Sequence, residues 1–516
     1  MKLVTPFSLA LIAVLSTSAR AQVSSDRTFD VMDTTIYGAQ TAMRARTLSC
    51  RGLVGAYLAR IKAYDQDGPK LNAIQNVNPE ALKIATALDG KLKRGDHLGR
   101  LFCVPVMVKD QVETSFMPTT YGSLIFKTFT PKRDATIIEK MIAEDAIILA
   151  KTNMGEFAAR DAGSAFGECR NAYDTGRSAS GSSCGSGIAV TANFGLVGIG
   201  EDTAGSIRGP ASHEDLVALR PTTGLISRFG VLPQGPSRDT VGPITRTVRD
   251  NALMLDVLAG FDPKDPITAA SDRRLPASYT DFLRPDGLKG KRIGVLRDSM
   301  SKNADPTAPD FKETHAILDQ AVNDMRSLGA VIIDPVAVPD IVELVRASGT
   351  EPSSYETEAA TDNYLAQLPN APVKTYKEIA ESPLVVPTRH KDLMADLGKK
   401  PDDPLFLKQL QTREKLKTAL LATMAAERLD AFLYLSFDHE PPLLPRAAAG
   451  SNRLTAVFAG FPALAIPGGF SKDGLPVGLE LMGRPFDEGV LYQIAYGYEQ
   501  NTNHRRLPST VPALAP

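Results

Sequence analysis

Residues 180–208 read Ser180-Gly-Ser-Ser-Cys-Gly-Ser-Gly-Ile-Ala-Val-Thr-Ala-Asn-Phe-Gly-Leu-Val-Gly-Ile-Gly-Glu-Asp-Thr-Ala-Gly-Ser-Ile-Arg208. Two clusters of serine and glycine bracket an apolar run. Glycine and serine at this density build no core. They let the backbone bend sharply, approach a ligand closely and offer it hydroxyls and N–H groups. Between the clusters, Ile188 to Asn193 reads as a helix and Leu196 to Gly200 as a strand, which anchors them in a rigid body. Upstream, Leu101 to Val108 is an apolar run suited to a buried strand, with Lys109 at its end. A serine-rich loop and a lysine ending a buried strand point to hydrolysis by a serine whose base is not histidine.

Taken together, Val104 to Asp110, Ser180 to Ser186 and Gly200 to Arg208 resemble the amidase signature family of serine hydrolases, most of all its peptide-amidase and general-amidase branch. The likeness runs along about 34–260 and returns along about 455–500. It implies an α/β fold with a central mixed β-sheet covered by helices on both faces and a helical insertion. By the same resemblance Lys109 is the general base, Ser182 the bridging serine after a cis Gly181–Ser182 peptide, and Ser206 the nucleophile. The chemistry is coherent on its own terms. A serine hydroxyl attacks poorly until a neighbour takes its proton, and a lysine takes one only when neutral. Burial beside Val104, Val106 and Val108 disfavours the charged amine.

The backbone N–H groups of Thr203, Ala204, Gly205 and Ser206 can curl around a developing oxyanion because the residues are small. Asp202 and Arg208 are expected to brace this turn as a buried ion pair, Ser183 to hydrogen-bond Lys109, and Asp239 to play a structural part. The sequence departs from the family pattern at Ala204, Ser180 and Cys184, where glycines are usual. Ala204 keeps its N–H, so the oxyanion site survives unless position 204 needs a positive φ.

The 516 residues carry 43% hydrophobic and 23% charged residues with a net charge of −1, which is ordinary for a globular protein and gives no electrostatic reason to expect nucleic acid. Lys2, the apolar run Leu9 to Leu15 and the small-residue site Ala19-Arg20-Ala21 read as a cleaved signal peptide over 1–21, too short to span a membrane. Residues 22–516 then form one amidase domain, with a core at about 34–335 and 455–500 and a variable helical insertion at about 340–446. Helical spacing covers Thr34 to Asp65. Asp134 reads as the N-cap of a helix through Ile137, Ile138, Met141 and Ile142, with a strand from Ala146 to Ala150 after it. Further strands are expected from Gly290 to Leu296, Ala330 to Ile333, Phe461 to Ile466 and Val477 to Leu481.

The four cysteines show no Cys-x-x-Cys spacing, which argues against zinc. Cys103, in an apolar run, reads as a buried thiol. Cys169 and Cys184 flank the site loop, and the pairing among the four, Cys50 included, stays open. Six histidines lack ligand spacing, so no metal or cofactor is expected; His213, seven residues past Ser206, is a candidate for a group behind the site. Gly181 to Gly185 also fits Gly-x-Ser-x-Gly around Ser183, but a loop precedes it where that motif needs a strand. The expected function is a secreted or periplasmic amidase, a monomer or homodimer without membrane anchor. It would cleave a small-molecule or peptide amide to a carboxylate plus ammonia or amine through an acyl-enzyme. The alternatives are a protein resembling the amide-cleaving subunit of an amidotransferase, and a hydrolase of esters or carbamates.

Overall fold

Continuous apolar runs, buried on both faces, become strands of a single sheet. In this computed structural model, which describes residues 1, 29–158, 163–349 and 355–514, eleven strands pair side by side. They are β1 (Ile74–Val77), β2 (Pro105–Lys109), β3 (Ile147–Thr152), β4 (Val197–Asp202), β5 (Val217–Arg220), β6 (Thr240–Thr245), β7 (Arg292–Val295), β8 (Val331–Ile333), β9 (Ala431–Leu435), β10 (Ala463–Phe470) and β11 (Pro476–Met482). Their spatial order is β1-β3-β2-β4-β6-β5-β10-β11-β9-β7-β8. β2 runs parallel to β3 and β4, β7 runs parallel to β8 and β9, and the remaining pairs are antiparallel. Helices cover both faces, so the architecture is the expected α/β mixed sheet. Apart from residue 1, the segment read as a signal peptide lies outside the described residues. No described helix is long and apolar enough to cross a membrane.

Local chemistry explains where the elements differ from the sequence reading. The N-terminal helical pattern is broken after Ile36–Arg44, and Ser49 caps a second helix, Cys50–Arg60, by accepting from the Gly52 N–H. Leu53, Val54 and Tyr57 of that second helix are fully buried. Asp134 is not the cap of helix Thr136–Ala143; Ala135 takes that position, and the Asp134 carboxylate accepts the Ser115 N–H instead. Among its described residues the segment 340–446 carries five helices, Ile341–Ala347, Thr357–Ala366, Tyr376–Ala380, Pro387–Asp396 and Pro404–Ala426, but it is not purely helical. It also contributes β9, which lies between β11 and β7. A strand buried at every position shows no alternation of apolar and polar residues, so periodicity could not separate it from its surroundings.

Cys103 is buried as expected, yet it is not a thiol: it is bonded to Cys50, and Cys169 is bonded to Cys184. Cys50 opens a helix and Cys103 lies just ahead of β2, a contact made by packing that spacing does not reveal. The Cys50–Cys103 bridge spans 53 residues. Closing a loop of that length is worth about 4 kcal/mol in the chain-entropy account. Replacing both cysteines with alanine is expected to lower stability by roughly 2–4 kcal/mol, read as an earlier urea midpoint, with a steeper slope because the unfolded chain expands once the crosslink is gone.

Candidate active site

Parallel pairing of β2 with β4 places Val106 opposite Val197 and Val108 opposite Ile199. The ends of the two strands, Lys109 and Glu201-Asp202, therefore emerge at the same carboxyl edge, where parallel sheets commonly bind ligands. Lys109 is fully buried. Its Nζ donates to Ser182 Oγ at 2.9 Å, to Glu201 Oε2 at 2.9 Å and to the Glu201 carbonyl at 3.2 Å. Ser182 is fully buried too and follows a cis peptide from Gly181. Ser183 does not reach Lys109. Its hydroxyl donates to the Glu201 carbonyl at 3.2 Å and accepts from the Glu201 N–H at 3.3 Å, because the two main chains run alongside each other there.

The turn after β4 is organised by Asp202. One carboxylate oxygen accepts from the Gly205 N–H at 2.7 Å and from Arg220 Nη1 at 2.9 Å; the other accepts from the Ile207 N–H and from Arg208 Nε at 3.2 Å. The expected Asp202–Arg208 pair is present and extended, since Arg208 also bonds Glu480 of β11. Burial alone would raise the Asp202 carboxyl, but the two guanidiniums and the Gly205 N–H overcome it and hold it well below the usual carboxylate range.

Gly205 sits at φ +104°, and a Cβ there would meet Arg453 Cβ and Cδ at 2.8 Å, so glycine is required twice over. Its N–H is already taken by Asp202, which removes Gly205 from the expected oxyanion donors and leaves Thr203, Ala204 and Ser206. Ala204 is not in the positive-φ region, so alanine fits. The Thr203 hydroxyl lies 2.7 Å from both Glu201 Oε1 and Asp239 Oδ1, and Asp239 also accepts from the Gln234 and Gly235 N–H groups.

Ser206 is 7% exposed, and its carbonyl accepts from the Ser183 N–H at 3.4 Å, which sets it against the Lys109–Ser182 pair. The Ser206 hydroxyl itself makes no hydrogen bond to Ser182. Such contacts are commonly long in a free enzyme and tighten with substrate. His213 is turned away from this chemistry: its Nδ1 lies 3.2 Å from the Ser178 carbonyl, and burial, then Arg453, pushes the imidazole down to about 3. Among the described residues no group of His, Cys, Asp and Glu is placed to hold a metal ion.

Glu201, Arg220, Arg453 and Glu480 were not foreseen. Glu201 stands inside the opening motif and needed only the β2–β4 pairing to be found. Arg453 donates to the Gly205 carbonyl at 2.6 Å, and it and Glu480 come from far down the chain, where no local pattern marks them.

The family model described as Amidase matches residues 52–491. A probable amidase of Arabidopsis thaliana is 31% identical over 98% of this chain and 96% of its own length. A glutamyl-tRNA(Gln) amidotransferase subunit from Thermoanaerobacter pseudethanolicus is 30% identical over 92% of this chain and 98% of its own. Among solved structures, the native peptide amidase of Stenotrophomonas maltophilia superposes with a TM-score of 0.82 at 33% identity, over 93% of this chain and 99% of that one.

Asp202→Asn leaves two buried guanidiniums short of a counter-charge and is expected to cost about 3–5 kcal/mol at neutral pH. Because the folded carboxyl is held low, the wild-type advantage is full above the ordinary carboxylate value near pH 4 and fades as pH falls below it. Chemical denaturation of both proteins between pH 7 and pH 2 checks the size and the window.

Proposed function

Because the chain belongs to the amidase family and is an enzyme acting on carbon–nitrogen bonds, we propose that it hydrolyses linear carboxylic amides through Ser206, Ser182 and Lys109. The observation that carries this reading is the 2.9 Å bond between Lys109 Nζ and Ser182 Oγ beside the Ser206 turn. Ser206 Oγ attacks the amide carbonyl while its proton passes to Ser182, and the proton of Ser182 passes to the Lys109 amine. The N–H groups of Thr203, Ala204 and Ser206 receive the oxyanion, a contribution of the order of 100–1,000-fold per donor in well-studied sites. Collapse breaks the C–N bond, the proton returns along the same path to the leaving nitrogen, and ammonia or an amine departs. Water then attacks the Ser206 ester, giving the carboxylate and the free serine.

The likeness to a peptide amidase supports small primary amides and peptide amides as substrates. Secretion or a periplasmic location is supported by the signal-like N-terminus and by two disulfides, which persist in oxidising compartments. A second reading, an amide-cleaving component of an amidotransferase, has the 30% identity to the Thermoanaerobacter protein in its favour. The disulfides weigh against it, because charged tRNA is made in a reducing compartment.

Ser206→Ala and Lys109→Met are each expected to lower turnover of small amides by at least about 1,000-fold while leaving the fold intact. A fluorophosphonate probe is expected to label the wild type and not Ser206→Ala. Undiminished amide turnover by Ser206→Ala would refute the assignment.

A further inference from the structure

Resting on that reading, we propose that Glu201 is a positioning residue that governs the proton of the base: the Lys109–Glu201 pair shares one proton, and the catalytic form carries it on the carboxyl. The geometry is specific. Lys109 and Glu201 side chains are 0% and 2% exposed, and Nζ and Oε2 are 2.9 Å apart. Two separated charges are costly at such a depth, whereas amine and carboxylic acid at the same contact are both uncharged and still hydrogen-bonded. Burial, reinforced by Asp239 and opposed by Lys109, raises the Glu201 carboxyl, in the direction this arrangement needs. The second oxygen, Oε1, is held at 2.7 Å by the Thr203 hydroxyl, so the carboxyl is locked in orientation toward Nζ.

The remaining charges around Glu201 are otherwise engaged. Arg220 is paired with Asp202, Arg133 with Glu113, Arg228 with Asp265 and Lys264 with Glu139. Asp239 lies beyond Thr203. Lys109 is thus the titratable group that the Glu201 carboxyl meets directly.

Glu201 is among the residues lining a cavity of about 330 Å³ with Asp239, Val241, Leu232, Tyr364 and Arg228, a set that includes neither Ser182 nor Ser206. In the catalytic form Glu201 Oε2 accepts an Nζ–H, which leaves the amine lone pair free to take the Ser182 proton. During attack Lys109 gains the Ser182 proton and becomes an ammonium, balanced by the oxyanion. When the nitrogen leaves, the ammonium gives that proton back through Ser182, and the Glu201 acid is unchanged.

A pair holding one proton keeps the same ratio of its two forms across the pH range in which it neither gains nor loses a proton. A lone buried lysine does not. The rate at which a fluorophosphonate probe labels Ser206, measured from pH 5 to pH 10, is therefore expected to be nearly flat through neutrality in the wild type. In Glu201→Gln it is expected to rise with pH across the same range, by up to about tenfold per unit. Glu201→Asp, which keeps a carboxyl on a shorter stem, is expected to restore part of the flat region. If Glu201→Gln does not fold, Glu201→Thr is read in the same way. A uniform loss of rate with an unchanged pH profile in both variants would overturn the proposal and leave Glu201 a packing residue. Labelling of Ser206→Ala would instead overturn the underlying assignment of the nucleophile, so the two failures are distinct.

Discussion

The Asp202 carboxylate, with no exposure to solvent, is the interaction on which the site depends. Two guanidiniums cancel its charge and two main-chain N–H groups are drawn onto it, so the chain leaving β4 must turn tightly around it. That turn determines where Ser206 stands and which N–H groups remain for an oxyanion. Arg208 passes the constraint on, to Glu480 in β11 and to the carbonyl of Arg453. The two stretches of chain on either side of the 340–446 segment are thereby joined at the site. Such buried pairs add little net stability over an apolar packing, but losing one member strands a charge. The arrangement is best understood as a device for geometry.

A second constraint comes from the sheet. β2 and β4 are parallel neighbours, and parallel strands of matched register end together, so the lysine and the two carboxylates that follow Gly200 share one edge. The serine loop is brought to the same edge by the buried helix Cys184–Thr191, and the bridge from Cys184 to Cys169 ties its first turn to the preceding loop. Positioning therefore rests on a strand, a helix and a covalent link, with loops supplying the reactive atoms. The helices of 357–396 bring Tyr364, Leu365 and Tyr376 into one apolar cluster with Tyr121, Phe126, Phe129 and Phe157.

Much of this was legible in the amino-acid order. The serine clusters, Lys109 and Asp202-x-x-x-x-x-Arg208 are local motifs whose residue types follow from the chemistry they serve. The alternation of buried runs with helical faces was sufficient for the α/β class and for most strands. What stayed hidden falls into two kinds. Asp134, Ser183 and Gly205 each have a correct neighbourhood but a different partner, because the competing donor or acceptor, Ser115, Glu201 or Asp202, is chosen by small differences in packing that residue type does not encode.

The other kind is long-range. Glu201 gained its meaning only when β4 lay beside β2, Glu480 and Arg453 only when the second half of the chain closed on the first, and the Cys50–Cys103 bridge only when a helix met the approach to β2. Residue order thus determined the proposed reacting groups and the class of fold, since both are written in spacing and side-chain chemistry over a few residues. Tertiary structure alone decided which buried charge faces which, because a carboxylate in a low-dielectric interior is defined by its neighbours in space.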